Sequence, residues 1–198
     1  PGTRREKGFL SPVDFRLLAG RIRPHTRYLY LHLMGEPLLH PHLAQLLEIG
    51  AELDFSLMIT TNGTLLPRQE PLLLASPAVE KVSVSLHSFS QGTQGPGPEE
   101  YLDGAFSFAE HFAQAGRRCA LRLWNLAQQP DPAVTAFNDL VPDRLSRRFP
   151  RPWREDWQGT KLRQGVYLEW GERFDWPDLS APQAGEAGFC RGLRDQVG

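Results

Sequence analysis

Cysteine is scarce in this chain, with only Cys119 and Cys190 among 198 residues. Two thiols make no disulfide framework, which points to a reducing, cytoplasmic setting. Excess charge of either sign is lacking too. The 22 Lys and Arg nearly offset the 23 Asp and Glu, leaving a formal net charge of -1. Nothing therefore draws the whole molecule toward nucleic acid or an anionic membrane. Uncharged stretches are too short or too polar to span a bilayer, and the first residues lack the layout of a signal peptide. Position 1 is Pro rather than Met, and Val197-Gly198 closes no recognisable element, so the expectation is an excerpt from a longer protein. What is present is ordinary for a globular domain: 40% hydrophobic and 23% charged residues. A chain of this length can bury one sizeable core.

The hydrophobic pattern alternates between helix and strand. Ser11-Pro12-Val13-Asp14 starts a helix, with a Ser cap, Pro at the first position and an early acid; Leu17, Leu18 and Ile22 are expected inward. An apolar run over residues 28–34 predicts a buried strand that stops at Met34-Gly35-Glu36-Pro37. A lone carboxylate delivered there should meet something cationic or metallic. Pro41 opens a helix carrying Leu39, Leu43, Leu46, Leu47 and Leu53, and the strand from Phe55 ends at Thr60-Thr61-Asn62-Gly63. Residues 67–79 suggest a short helix with Leu72, Leu73 and Leu74. Next, Val82, Val84 and Leu86 alternate with Ser83, Ser85 and His87, which is the period of a strand.

The glycine-rich loop over residues 92–98 is too irregular for a phosphate cradle. Tyr101, Ala105, Phe108, Phe112 and Ala115 then mark one face of a helix that Gly116 stops. A strand runs from Cys119 toward Trp124-Asn125, and a helix from Asp131-Pro132 turns Val134, Phe137 and Val141 inward. Residues 142–163 lose clear periodicity. Val166, Leu168 and Trp170, alternating with Tyr167 and Glu169, predict a last strand. Strands beginning near 28, 55, 81, 119 and 165, separated by helices, are the rhythm of a parallel α/β sheet. Crossovers of one hand put every strand C-terminus at one mouth, where ligands bind. Gly35-Glu36, Thr61-Asn62, Ser85 and Arg122 to Asn125 all fall there.

The Gly-Glu-Pro at 35–37 and the Thr-Thr-Asn-Gly at 60–63 lie one β-α unit apart, with Ser85-Leu86-His87-Ser88 after a third strand. This set resembles the core of the radical S-adenosylmethionine enzymes over residues 1–126. The resemblance implies a partial, six-fold β/α TIM-like barrel truncated at both ends. Residues 1–150 would form the barrel core, and residues 151–198 a closing strand and the start of a C-terminal extension. It also implies a [4Fe-4S] cluster that reductively cleaves S-adenosylmethionine to a 5'-deoxyadenosyl radical. The backbone at Gly35, Glu36 and Pro37 would bind the methionine amino group, and glycine there permits close approach. Asn62 would shape the pocket, Ser85 would touch the ribose, and Arg122 and Asn125 would reach the carboxylate or ribose. The family's Cys-x3-Cys-x2-Cys motif is absent from this sequence. The resemblance places it just before Pro1, so the chain as given is expected to be inert. Phe189-Cys190-Arg191-Gly192 resembles the opening of a cysteine-rich extension that holds auxiliary clusters, with Cys190 as a ligand. That extension would favour a peptide or protein substrate, and an electron donor such as flavodoxin or ferredoxin is implied.

Other readings of the same residues stand beside this one. Glu36 can instead cap the following helix, and Asn62-Gly63 is also a hairpin signal. A different β/α-barrel enzyme would use Glu36 and His87 as acid and base. His40 and His42 read as surface residues and Cys119 as core. Arg144, Arg147, Arg148, Arg151, Arg154, Lys161 and Arg163, with Trp153 and Trp157 between them, can be drawn as a nucleic-acid or partner surface. A solvated, partly self-paired surface is favoured, because Glu169, Glu172, Asp175 and Asp178 follow directly. Residues 170–176 either close the barrel or line a substrate site.

Overall fold

The computed structural model describes residues 8–32, 35–86, 89, 97–123, 132–156 and 159–170. Its strands are β1 (Tyr28–Leu31), β2 (Ser56–Thr61), β3 (Val79–Ser85), β4 (Arg118–Leu123), β5 (Arg154–Asp156), β6 (Gly159–Arg163) and β7 (Val166–Trp170). Helices α1 (Pro12–Ile22), α2 (Leu43–Glu52), α3 (Leu66–Ala75), α4 (Pro98–Gln114) and α5 (Pro132–Arg148) intervene, with a 3-10 turn at Pro37–Leu39. The strands form one sheet in the order β1-β2-β3-β4-β7-β6-β5. From β1 through β4 to β7 every pairing is parallel, so the five expected strands form the expected sheet. The sheet does not close on itself: β1 and β5 are its edges. This is an open, partial barrel. Among the described residues no helix is long and apolar enough to cross a membrane.

Two strands come from the stretch without periodicity. The period fades from residue 142 on, yet α5 continues through Pro142 to Arg148. β5 and β6 then pair antiparallel, and β6 pairs antiparallel with β7 across Gly165. Gly165 has φ +79°, and a Cβ there would lie 2.7 Å from the Arg117 carbonyl, so only glycine fits this turn.

One sheet face holds the core. Leu57, Ile59, Val82, Val84, Cys119, Leu121, Val166 and Leu168 pack against residues from all five helices. Helix α4 is central. Its Pro98 at the first position and Glu99 and Glu100 in the first turn suit a helix start, and it buries Tyr101, Ala105, Phe108 and Phe112 as expected, with Phe106 besides. Gly116, φ +79°, follows its end.

The opposite parity forms a second face. By register Tyr30, Met58, Lys81 and Arg118 make one row. Thr60, Ser83, Ala120 and Tyr167 make the next, and Ser85, Arg122 and Glu169 the last. None of these belongs to the helix-covered cluster.

Three expectations need correction. Helix α1 buries Phe15 and Ala19, while Leu17, Leu18 and Ile22 are exposed. It packs on α2 through Phe15, Leu46 and Ile49. β1 is the sheet's edge, so among the described residues the rest of the apolar face of α1 has no strand beneath it. For the same reason β1 is not buried on both sides: Leu29 and Leu31 pack on the core, while Tyr28 and Tyr30 are exposed. Leu39 lies in the 3-10 turn and is exposed, and α2 starts at Leu43, with Leu43, Leu46 and Leu47 buried.

Phe108 is fully buried and Leu17 is half exposed. Phe108→Ala is expected to cost about 3–5 kcal/mol in urea unfolding, and Leu17→Ser to stay within about 0.5 kcal/mol.

Candidate functional site

The parallel strands bring β1, β2, β3, β4 and β7 to one mouth. Beyond β1 the chain turns at Gly35, whose φ is +85°. A Cβ on Gly35 would meet nothing within 4 Å, so the backbone angle rather than crowding demands glycine here. Glu36 follows, half-buried, and its carboxylate meets three donors. The Leu38 N–H donates to Oε1 at 3.0 Å and the Thr61 hydroxyl to the same oxygen at 2.7 Å. The Asn62 N–H donates to Oε2 at 2.7 Å. Glu36 therefore caps the turn opened by Pro37 and ties it to the end of β2. Among the described residues the carboxylate is met by these three neutral hydrogen-bond donors. His87, the suggested acid-base partner of Glu36, lies outside the described residues.

The end of β2 is fixed from three sides. Thr61 Oγ1 also accepts from the Gly63 N–H at 3.1 Å. Asn62 Oδ1 accepts from the Thr64 N–H at 2.9 Å and its hydroxyl at 2.7 Å, so this side chain shapes its own turn. The Tyr101 hydroxyl of α4 donates to the Asn62 carbonyl at 2.6 Å. Burial first, and then the Glu36 charge, push the Tyr101 phenol well above its ordinary pKa, so it remains a donor. Gly63 has φ +81°, and a Cβ there would sit 2.8 Å from Val84 Cγ1 and 3.1 Å from the Tyr101 hydroxyl. The chain then enters α3, so Asn62-Gly63 is not a hairpin turn.

Across the mouth the row is ionic. Ser85 ends β3, is nearly buried, and stands opposite Arg122 in register. Arg122 Nε donates to Glu169 Oε2 at 2.7 Å, and Lys81 Nζ donates to Glu169 Oε1 at 3.0 Å. All three side chains are mostly buried, at 21%, 18% and 26% exposure for Arg122, Glu169 and Lys81. His32, just past β1, is held below its ordinary pKa by burial and then by the Arg122 charge.

Gly35, Glu36, Pro37, Asn62, Ser85 and Arg122 thus lie on successive strand ends or the loops leaving them. Asn125 and Cys190 lie outside the described residues. The sequence reading put Thr61 at the mouth and Tyr101 on a core helix face but missed that they hold the loop, and it missed Lys81 and Glu169 as the residues that hold Arg122. Glu169 carried the same signal as Glu36, a carboxylate near the C-terminal end of a parallel strand, but was assigned to balancing the arginine run. That run finds different partners. Arg144 pairs with Glu99, Arg148 Nε with Glu110 at 2.6 Å, Arg163 with Glu110 at 2.9 Å, and Arg147 with Asp143 at 2.8 Å. Glu99 and Glu110 of α4 and Asp143 of α5 balance these arginines on a self-paired surface, while Glu172, Asp175 and Asp178 lie outside the described residues.

Among the described residues no group of three His, Cys, Asp or Glu is placed to hold a metal ion. Cys119 is fully buried on the helix side, and burial keeps its thiol protonated.

No family model matches the chain, and no curated protein matches it. Its fold is nevertheless found in solved structures. Streptococcus suis SuiB bound to precursor peptide SuiA superposes with a TM-score of 0.52 at 17% identity, covering 74% of this chain and 32% of SuiB. SuiB bound to S-adenosylmethionine gives 0.50 at 14% identity, over 84% of this chain and 45% of that one. The chain spans less than half the length of SuiB. What is shared is the fold, an open, partial β/α barrel.

The latch can be tested on stability. Glu36→Gln, which turns an amide toward three donors, is expected to lose about 2 kcal/mol in urea unfolding. Gly63→Ala, strained by both its φ and the Val84 contact, is expected to lose about 1–3 kcal/mol. An unchanged midpoint for both would show that the loop is not held by these contacts.

Proposed function

We propose that this chain is the S-adenosylmethionine-binding part of a radical enzyme that modifies a peptide. One observation carries the reading: the Ser85–Arg122–Glu169 row ends at the parallel-strand mouth, on the sheet face whose residues lie outside the helix-packed core, with the latched Gly35–Pro37 loop on β1 at the same mouth. The fold it shares with SuiB, seen with S-adenosylmethionine in one structure and with a precursor peptide in another, supports both halves.

The described residues fit the amino-acid and nucleoside parts of that cofactor. Gly35 leaves open space at the turn, so backbone carbonyls there can approach an ammonium group. Glu36 acts mainly by fixing that backbone. Ser85 offers a hydroxyl suited to a ribose, and Arg122 a guanidinium suited to a carboxylate. Asn62 keeps the wall between them in shape through its turn. On one-electron reduction, bound S-adenosylmethionine supplies hydrogen-abstraction chemistry. This chain's residues position the ligand and exclude water around it.

The described residues do not fit the [4Fe-4S] cluster. It needs three thiolates, and the one described cysteine, Cys119, is a protonated core residue on the wrong face of the sheet. Its ligands, Cys190 included if it serves an auxiliary cluster, belong to sequence outside the described residues.

Binding is therefore separable from turnover. Calorimetric titration of S-adenosylmethionine into the full chain, without iron, is expected to show saturable one-site binding. Ser85→Ala should weaken it about 3–10-fold, the worth of one hydrogen bond. No saturable heat from the folded wild-type chain would end this reading.

A further inference from the structure

Glu169 has no part in the reading above except as a neighbour of Arg122, yet it makes the densest charge contacts at the mouth. We propose that Glu169 is the positioning residue that aims Arg122 at the carboxylate of the bound ligand. This rests on the S-adenosylmethionine reading and adds to it the determinant of selectivity for an amino-acid end.

The geometry is specific. Glu169 stands directly across from Arg122, which stands directly across from Ser85, so three adjacent parallel strands contribute one polar row. One carboxylate oxygen takes Arg122 Nε and the other takes Lys81 Nζ. Binding through Nε fixes the plane of a guanidinium and therefore the direction of its terminal nitrogens. Lys81 lies on the row of Arg118, four residues and two rows below Ser85 on the same face, and reaches Glu169 across the row of Ala120. Alanine is the small residue on that path. The second bond keeps the carboxylate from following Arg122 into other rotamers.

The charge logic agrees. Two cations on one sheet face repel, and a carboxylate between them makes the arrangement tenable in a mostly buried setting. A guanidinium ordered before the ligand arrives loses less entropy on binding. Its field reaches the far side of the mouth, since the depressed His32 pKa on β1 has Arg122 as its second cause after burial.

The test compares two ligands in the full chain: S-adenosylmethionine, which has the carboxylate, and 5'-methylthioadenosine, which lacks the amino-acid moiety. Glu169→Gln is expected to weaken S-adenosylmethionine about 10-fold while leaving methylthioadenosine within about 2-fold. Glu169→Asp should recover part of the loss. In an Arg122→Lys background, where no Nε bond is possible, Glu169→Gln should have no further effect. Lys81→Met, which keeps the Arg122–Glu169 bond, should show the same ligand selectivity at about 3-fold, and serves if Glu169→Gln does not fold. Equal weakening of both ligands would make Glu169 merely structural and overturn the proposal, as would an unaffected S-adenosylmethionine affinity. A wild-type chain that binds neither ligand would remove the proposed function as well. A wild-type chain that binds both, with an insensitive Glu169→Gln, would remove this proposal alone.

Discussion

The carboxylate of Glu36 is the constraint on which the mouth depends. A parallel sheet fixes where strands end but not how the chain leaves them, since the exits are loops with their own backbone polar groups to satisfy. Here one side chain settles two exits together. It accepts from the turn that follows β1 and from the last residues of β2, 25 and 26 positions along the chain. Charge-assisted acceptance is roughly twice as strong as a neutral hydrogen bond, so the pairing resists fraying at the end of an edge strand only four residues long. Tyr101 extends the same lock into α4, the helix with the largest aromatic core face. Hydrophobic packing on one side of the sheet is thereby connected, through two hydrogen bonds and a turn, to the polar mouth.

The second consequence is the division of the sheet by parity. Strand residues alternate faces, so one register fixes both a core and a polar surface. On the helix side the alternate residues are Val, Leu, Ile and Cys119. On the other side they are Ser83, Ser85, Lys81, Arg122 and Glu169 with Ala120 and Tyr167 among them. A core buried by helices on one face alone leaves the second face to polar chemistry without weakening the first.

Much of this was legible in the sequence, for identifiable reasons. The Val82–Leu86 alternation and the helix face from Tyr101 to Phe112 are clean periods, and both carry to the structure, while Ala115 caps the helix and is exposed. Gly-Glu-Pro after one apolar run and Thr-Thr-Asn-Gly after the next placed chemistry at one sheet end. What failed depended on partners that sequence does not name. Leu17, Leu18 and Ile22 read as inward because a periodic apolar face normally has something to cover; at the edge of this sheet it does not. For Glu36, local sequence cannot show that Thr61 and the Asn62 N–H arrive from the next strand to meet its carboxylate. The hairpin of β5 and β6 was hidden by its shortness, with strands of three and five residues.

The two carboxylates at the mouth show how residue type and role part company. Glu36 and Glu169 both sit at or just beyond the C-terminal end of a parallel strand. Glu36 is met by a hydroxyl and two backbone N–H groups, so its charge is spent on shaping the loop. Glu169 is met by a guanidinium and an ammonium, so it brings two cations into one row and orders them. The difference arises from what stands opposite in register: a loop and a threonine in the first case, Arg122 in the second. One end of the mouth therefore presents backbone and the other presents fixed positive charge.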